Sequence, residues 1–228
     1  IRALSMSVKT IKYSQRLGDV LRCLPAAKYL ADQGHEVFFD CLEQYHGVFD
    51  LASYVKGGNK GDVLDLEIWP NRYNDFIKSR KNWHDFVYSH PEIKEADKTN
   101  IILDKLDDKP AEGLPETYNL VAPFGISQTF YRNPLTLIQD AVKELGKESV
   151  FVLCPPDIKI QGLNTYTAQS VEQMVKAIRG ADQFLAVNSS PIIIASAVRR
   201  GKESRFWGEK NESEVQNVFQ FEGLVRVD

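Results

Sequence analysis

SQRLGDVLRCLPAAKYLA, residues 14–31, is the stretch whose reading decides the fold of this chain. Immediately before it, Val8 to Tyr13 alternate as a buried strand does, and within it Val20, Leu24, Ala27 and Ala31 recur as on one face of a helix. Gly18 and Asp19 therefore fall at a strand-to-helix turn. In an open α/β sheet such turns lie at the carboxyl edge of the strands, where ligands bind. A carboxylate fixed there can take a proton from a substrate. Pro25 leaves the helix two courses: it begins near Leu21 with Pro25 in its first turn, or it kinks at Pro25.

The rhythm of strand and helix continues outward. His35 to Asp40 reads as a second strand, entered through the helix-ending Gly34. Gly57 to Gly61 reads as a loop, Asp62 to Ile68 as a strand, and the aromatic, basic stretch Arg72 to Tyr88 as helical. Asp104 to Glu116 is charged and carries Pro110, Gly113 and Pro115, which marks a linker. The rhythm then restarts with a strand at Tyr118–Pro123, the loop Phe124–Gln128, and a helix from Pro134 to about Leu145 behind the cap candidate Asn133. A strand at Ser149–Cys154 follows, then a helix opened by the capping-box pair Ser170 and Gln173. A strand at Gln183–Val187, the turn Asn188–Pro191, a helix at Ile192–Val198 and a last strand at Ser204–Trp207 complete the pattern. Such alternation predicts an α/β fold of two Rossmann-like βαβ domains facing a cleft, residues 6–110 and 111–228.

Composition narrows the classes. The 228 residues suffice for one large domain or two small ones. A net charge of −3 gives no electrostatic reason to expect nucleic acid or an anionic membrane. Apolar runs such as Pro191–Ala195 fall far short of the about 20 residues that span a bilayer, so no transmembrane segment is expected. Cys23, Cys41 and Cys154 are odd in number, widely spaced and without a metal-ligand pattern, which points to the reducing cytoplasm. Ile1 to Ser5, ahead of Met6, read as a cloning remnant outside the fold.

Three loops could carry chemistry. Asp19 is either a helix N-cap or a general base, for which an ordinary aspartate of pKa about 3.9 suffices if the reaction centre is strongly electrophilic. Asn188, Ser189 and Ser190 bring backbone N–H groups and two hydroxyls to the start of a helix, where an anion is stabilised; capping alone is the competing role. Ser127, Gln128 and Arg132, before the helix at Pro134, add a hydroxyl, backbone donors and one guanidinium. Two such loops in one half point together to a diphosphate site. The chain lacks Gly-x-Gly-x-x-Gly after its first strand and any Gly-x-x-x-x-Gly-Lys-Ser, which argues against a nicotinamide enzyme and a P-loop ATPase. The four histidines show no His-Glu-x-x-His spacing and read mostly as surface or loop residues. Asp65 and Glu67 match an acidic metal pair only loosely and read as structural, so no metal is expected. Trp69, Trp83 and Trp207 could stack on a sugar or base, although core packing suits them better.

In three places, and in the right order, the chain resembles glycosyltransferase family 9, the heptosyltransferase-like enzymes of the two-domain GT-B fold. Leu17-Gly18-Asp19-Val20-Leu21 with Leu24-Pro25-Ala26 is similar to the family's N-terminal Leu-Gly-Asp turn. Ala122–Gly125 with Arg132-Asn133-Pro134 is similar to its Lys-x-Trp-Pro loop. Ala181 through Ala197, then Phe206-Trp207-Gly208, is similar to the Asp-Ser-Gly-Pro…His…Ala-Ala segment and the Phe-Gly strand end. Here Asn188 stands for the motif Asp, Ser190 for the Gly, Ile193 and Ile194 where a His is expected, and Arg132 lies one residue from the phosphate-binding Lys.

The resemblance implies an inverting, metal-independent glycosyltransferase with Asp19 as general base. Ser127, Gln128, Arg132, Asn188, Ser189 and Ser190 would hold a nucleotide-diphosphate sugar, which is the donor substrate; no cofactor is expected. The acceptor would lie near Gly18, Arg72 and Trp83. A saccharide or lipid-linked saccharide is the expected acceptor. A hydroxylated base in DNA is the less favoured one, to which Arg72, Lys78, Arg80, Lys81 and Trp83 could contribute. A non-catalytic nucleotide- or sugar-binding relative of the same fold is the alternative.

Overall fold

A computed structural model describes residues 7–69, 71–125, 132–208 and 221–227. The chain divides into two compact units, Ile1–Leu106 and Asp107–Asp228. Each is built on its own parallel sheet.

The first unit contains strands β1 (Val8–Lys12), β2 (Glu36–Asp40), β3 (Lys56–Gly57) and β4 (Asp62–Asp65), with helices α1 (Leu17–Asp32), α2 (Tyr73–Ser79) and α3 (Trp83–Val87). The strand order is β3-β2-β1-β4, so the order reverses beside β1, which pairs β2 on one side and β4 on the other. Ile11 on β1 and Phe39 on β2 are fully enclosed, as are Leu66 and Ile68 in the connection that follows β4. Gly61 is required where it stands. Its φ is +73°, and a Cβ there would come within 2.1 Å of the Val8 carbonyl oxygen.

Helix α1 begins at Leu17 and runs on through Pro25. Pro25 withholds the N–H that the Leu21 carbonyl would accept, so the helix carries a gap in its ladder at that turn. It ends where Gly34 adopts φ +89°. The stretch expected as one helix over 72–88 is two, because Arg80 takes the left-handed conformation (φ 54°) between α2 and α3. The Asn82 side chain then caps α3, accepting from the Asp85 N–H at 2.8 Å. Residues Glu43–Leu51 form 3₁₀ turns and β3 overlaps the start of the loop expected at Gly57–Gly61, neither of which hydrophobic periodicity reveals.

The second unit contains β5 (Asn119–Ala122), α4 (Pro134–Leu145), β6 (Val150–Leu153), β7 (Asn164–Tyr166), α5 (Val171–Gly180), β8 (Phe184–Val187), α6 (Ser190–Val198), β9 (Ser204–Trp207) and β10 (Leu224–Val227). The order is β10-β9-β8-β5-β6-β7, all parallel. This is the doubly wound order, reversing between β5 and β8. Edge strands β7 and β10 extend the expected sheet, and β9 is not its last strand. The caps fall as their residue types dictate: Asn133 accepts from the Leu135 N–H at 2.9 Å and Ser170 from the Gln173 N–H at 3.1 Å.

Val121, Leu137, Ile138, Val152, Leu185 and Trp207 belong to the core of this unit. Buried Arg199, just after α6, laces it together. Its guanidinium donates to the carbonyls of Ile178, Ala181, Asp182 and Glu203 and to the Ser204 hydroxyl. Among the described residues no helix is long and apolar enough to cross a membrane. The three cysteines are free thiols; Cys23 and Cys154 are buried and Cys41 is half-buried.

Candidate active site

Ligands of open α/β sheets bind beyond the carboxyl ends of the strands where the strand order reverses. In the first unit that place lies between β1 and β4. The chain leaves β1 through Tyr13–Arg16 into α1, and leaves β4 through Leu66–Trp69. A pocket of about 250 Å³ opens there, lined by Tyr13, Gln15, Arg16, Asp19, Glu67 and Trp69. Five of the six come from the two connections that leave these neighbouring strands, and Asp19 comes from the first turn of α1.

Asp19 stands in the first turn of α1, where the helix dipole favours a negative charge. It is not the N-cap. Arg16 holds that position and contributes no side-chain cap. Arg22, one turn on, places Nη1 3.5 Å from Asp19 Oδ1, the two side chains being only 11% and 17% exposed. The guanidinium is itself held from behind. Its carbon lies 4.1 Å from the centre of the Trp83 ring, and its Nε and Nη2 each lie 3.4 Å from a ring nitrogen of His84. The Trp83 indole N–H donates to the Tyr13 hydroxyl at 3.1 Å, and Tyr13 in turn lowers the proton affinity of Asp19. Tyr88 donates to the Arg22 carbonyl at 2.7 Å, on the turn that Pro25 disturbs.

Burial is the largest influence on Asp19 and raises its carboxyl above the ordinary aspartate range, while Arg22, Arg16 and Tyr13 pull it back. The outcome is an ionisable carboxylate with more affinity for a proton than one in water. Burial, then the Arg22 charge, pushes His84 down to about 2, so its ring is neutral at physiological pH. Arg22 keeps its charge despite burial, as arginine does in proteins, and Asp19 balances it.

Glu67 is the second carboxylate of the pocket, 8% exposed. Its Oε1 accepts from the Ser14 N–H at 2.8 Å and from the Ser14 hydroxyl, and its Oε2 lies 3.5 Å from Lys12 Nζ. It thereby ties the exit of β1 to the exit of β4. Two residues on, Trp69 is 48% exposed and stacks on Tyr73, their ring centres 3.9 Å apart and their planes 23° from parallel.

Of the residues expected on the acceptor side, Gly18 lies beside Asp19 in the first helical turn. Trp83 does not face an acceptor. It is 4% exposed and lies behind Arg22, because α3 turns its ring inward onto the guanidinium. Arg72 is also committed elsewhere, its guanidinium 4.8 Å over the Phe86 ring and 3.4 Å from the Asp65 carbonyl. His84, grouped with surface residues by sequence, is fully buried. Trp69, assigned to the core with the other tryptophans, is the exposed one. Glu67, read from the sequence only as a structural residue of a strand, lines the pocket instead, a place that sequence does not reveal because its partner Ser14 is 53 residues away.

In the second unit the reversal lies between β5 and β8, and α4 and α6 begin beyond those neighbouring strand ends. Asn188, Ser189 and Ser190 are half-buried there, and the Ser189 hydroxyl donates to the Val187 carbonyl at 3.4 Å instead of capping α6. Arg132 is half-buried with Nη1 3.5 Å from Asp140 Oδ2. Ser127 and Gln128 lie outside the described residues.

No protein-family model matches the sequence, and no curated protein sequence does. Solved structures match its fold. The glycosyltransferase family 9 protein of Veillonella parvula DSM 2008 aligns with a TM-score of 0.66 at 11% identity, over 98% of this chain and 86% of that one. Escherichia coli heptosyltransferase WaaC with ADP-2-deoxy-2-fluoro heptose aligns with a TM-score of 0.63 at 9% identity, over 96% and 92%. The iron-containing dodecameric glycosyltransferase TibC of enterotoxigenic E. coli H10407 aligns with a TM-score of 0.62 at 16% identity, over 89% of this chain. The alignment spans only 57% of TibC's own length. Among the described residues no three His, Cys, Asp or Glu side chains are grouped so as to hold a metal ion. Across identities of 9–16%, the chain carries the α/β fold of the heptosyltransferase-like glycosyltransferases.

Proposed function

We propose that the chain transfers a glycosyl group, with inversion and without a metal-dependent step, from a nucleotide-diphosphate sugar to an acceptor hydroxyl. The observation that carries this reading is the position of Asp19: a carboxylate with raised proton affinity, lining a pocket at the strand-order reversal. The acceptor oxygen attacks the anomeric carbon while the bond from that carbon to the diphosphate oxygen breaks, its electron pair leaving with the diphosphate. The hydroxyl proton passes to Asp19. Arg22 and Tyr13 hold the carboxylate in place and ionised.

The donor belongs to the second unit on this reading, with the chain dividing near residue 110. The leaving group's charge is met by Arg132, Ser127, Gln128, Asn188, Ser189, Ser190 and the N-termini of α4 and α6. Oriented donors of this kind supply the electrostatic stabilisation that usually dominates transfer chemistry. The side chains of the Arg132–Asp140 pair are 42% and 55% exposed, so the pair is worth at most about 1 kcal/mol and Arg132 can exchange Asp140 for phosphate at little cost. ADP-sugars head the panel of candidate donors because WaaC is named with one. A donor that binds only the folded chain raises its melting temperature.

The deciding experiment is Asp19→Asn. The substitution keeps the shape and removes the proton acceptor, so turnover falls by about 10²–10⁴-fold while the nucleotide-induced rise in melting temperature persists. A variant that folds and transfers at the normal rate reduces Asp19 to a structural residue. Wild-type activity in excess chelator tests the metal-independent step directly. Loss of activity, with recovery on adding a divalent ion, overturns that part.

A further inference from the structure

Building on that reading of the first unit, we propose that Glu67, Trp69 and Tyr73 form the acceptor subsite, and that its ligand is the ring of an uncharged saccharide. Trp69 stands at the pocket 48% exposed, an unusual place for so large an apolar ring. Its stacking on Tyr73, with centres 3.9 Å apart, fixes the indole before any ligand arrives. A ring already fixed loses little freedom on binding. One face of a pyranose is a patch of apolar C–H groups with hydroxyls around its edge. It suits an aromatic surface bordered by a hydrogen-bond acceptor.

Glu67 supplies that acceptor. A carboxylate offers about four acceptor positions. Ser14 occupies two through its N–H and hydroxyl, and Lys12 approaches a third. The remainder belongs to the pocket that Glu67 lines together with Asp19. A sugar hydroxyl donates to Glu67 while its ring rests on Trp69, which brings a second hydroxyl toward Asp19. The charge pattern selects against a nucleic-acid strand, whose affinity rests on phosphate contacts. Two carboxylates face such a strand, while Arg16 is drawn to Asp19 and Lys12 to Asp65 and Glu67.

The test is nuclear magnetic resonance on the intact wild-type chain without donor, with ¹⁵N-labelled indoles. The titrants are the methyl glycosides of glucose, galactose and mannose, glucose 6-phosphate, and a thymidine oligonucleotide. At least one neutral glycoside should shift the Trp69 indole resonance and leave those of buried Trp83 and Trp207 in place. Ligand-detected saturation transfer then gives affinities for variants. Trp69→Ala should weaken that glycoside about tenfold, the scale of one lost stacking ring, with unchanged circular dichroism. Tyr73→Ala should weaken it less, and Glu67→Gln severalfold.

The proposal is overturned if no neutral glycoside binds, if Trp69→Ala leaves the affinity intact, or if the phosphate or the oligonucleotide binds more tightly. None of these readouts uses turnover. A chain that transfers sugar but fails them loses only the subsite, whereas one that binds glycoside on Trp69 without transferring keeps the subsite and loses the enzymatic reading.

Discussion

At the scale of single residues, the decisive relation is between Asp19 and the cation behind it. Asp19 accepts a proton only when ionised, and burial raises its carboxyl above the ordinary range. The acid limb of kcat/KM is therefore expected above that of an ordinary aspartate. Arg22→Met, which removes the opposing charge, should move it higher still and lower the rate at neutral pH; a pH–rate profile of both proteins decides. His84 makes a separate prediction about stability. Its folded value of about 2 lies below the ordinary 6.5, so the unfolded chain takes up the proton first as pH falls. The stability that a neutral His84 contributes is present above 6.5 and is lost progressively toward about 2. Urea unfolding should show about 2 kcal/mol lost from this residue between pH 7 and pH 5, and His84→Gln should remove that part of the slope. Asp19 was legible from its place after an alternating strand. Its supports were not, since the contacts of Arg22 with Trp83 and His84 join residues about 60 positions apart.

At the scale of elements, the short helix α3 matters out of proportion to its length, because it delivers both Trp83 and His84 to Arg22. Its start depends on Asn82. Asn82→Ala should cost about 1 kcal/mol of stability and also displace the acid limb, which pairs calorimetry with the pH profile as the check. Arg80→Gly should leave activity intact and leave stability unchanged or raised by up to about 1 kcal/mol. The left-handed strain that the arginine bears disappears, although glycine also frees the unfolded chain. This break explains why the stretch from 72 to 88 misled: with Arg80 in the way, no single 3.6-residue period runs through it, and the inward ring could not be told from the outward one. The long helices were legible for different reasons: α4 buries one face through Leu137, Ile138 and Ala141, α5 opens on a capping box, and α1, buried almost all round from Val20 to Ala27, follows an alternating strand. Strands β3, β7 and β10 were not, being edge strands of two, three and four residues with too little apolar pattern to register.

At the scale of the whole molecule, both sheets place their reversal beside a central strand, and both candidate sites follow from that order and not from a shared sequence. This is why structures only 9–16% identical superpose while no family model does. The second unit depends on Arg199, whose partners are four backbone carbonyls and a hydroxyl. Arg199→Leu strands those buried acceptors and should lower stability by about 3 kcal/mol or more in urea unfolding. The free thiols have a consequence of their own. Cys23 is sealed inside the first unit and Cys154 lies 4% exposed in the second. An alkylating reagent reaches either only when its surroundings open, so the mass gained at each peptide clocks the breathing of one unit independently of the other. Half-buried Cys41, its thiol pushed up to about 12 by burial and then by Asp40, reacts slowly but without such opening, and so supplies the internal time base against which both clocks are read.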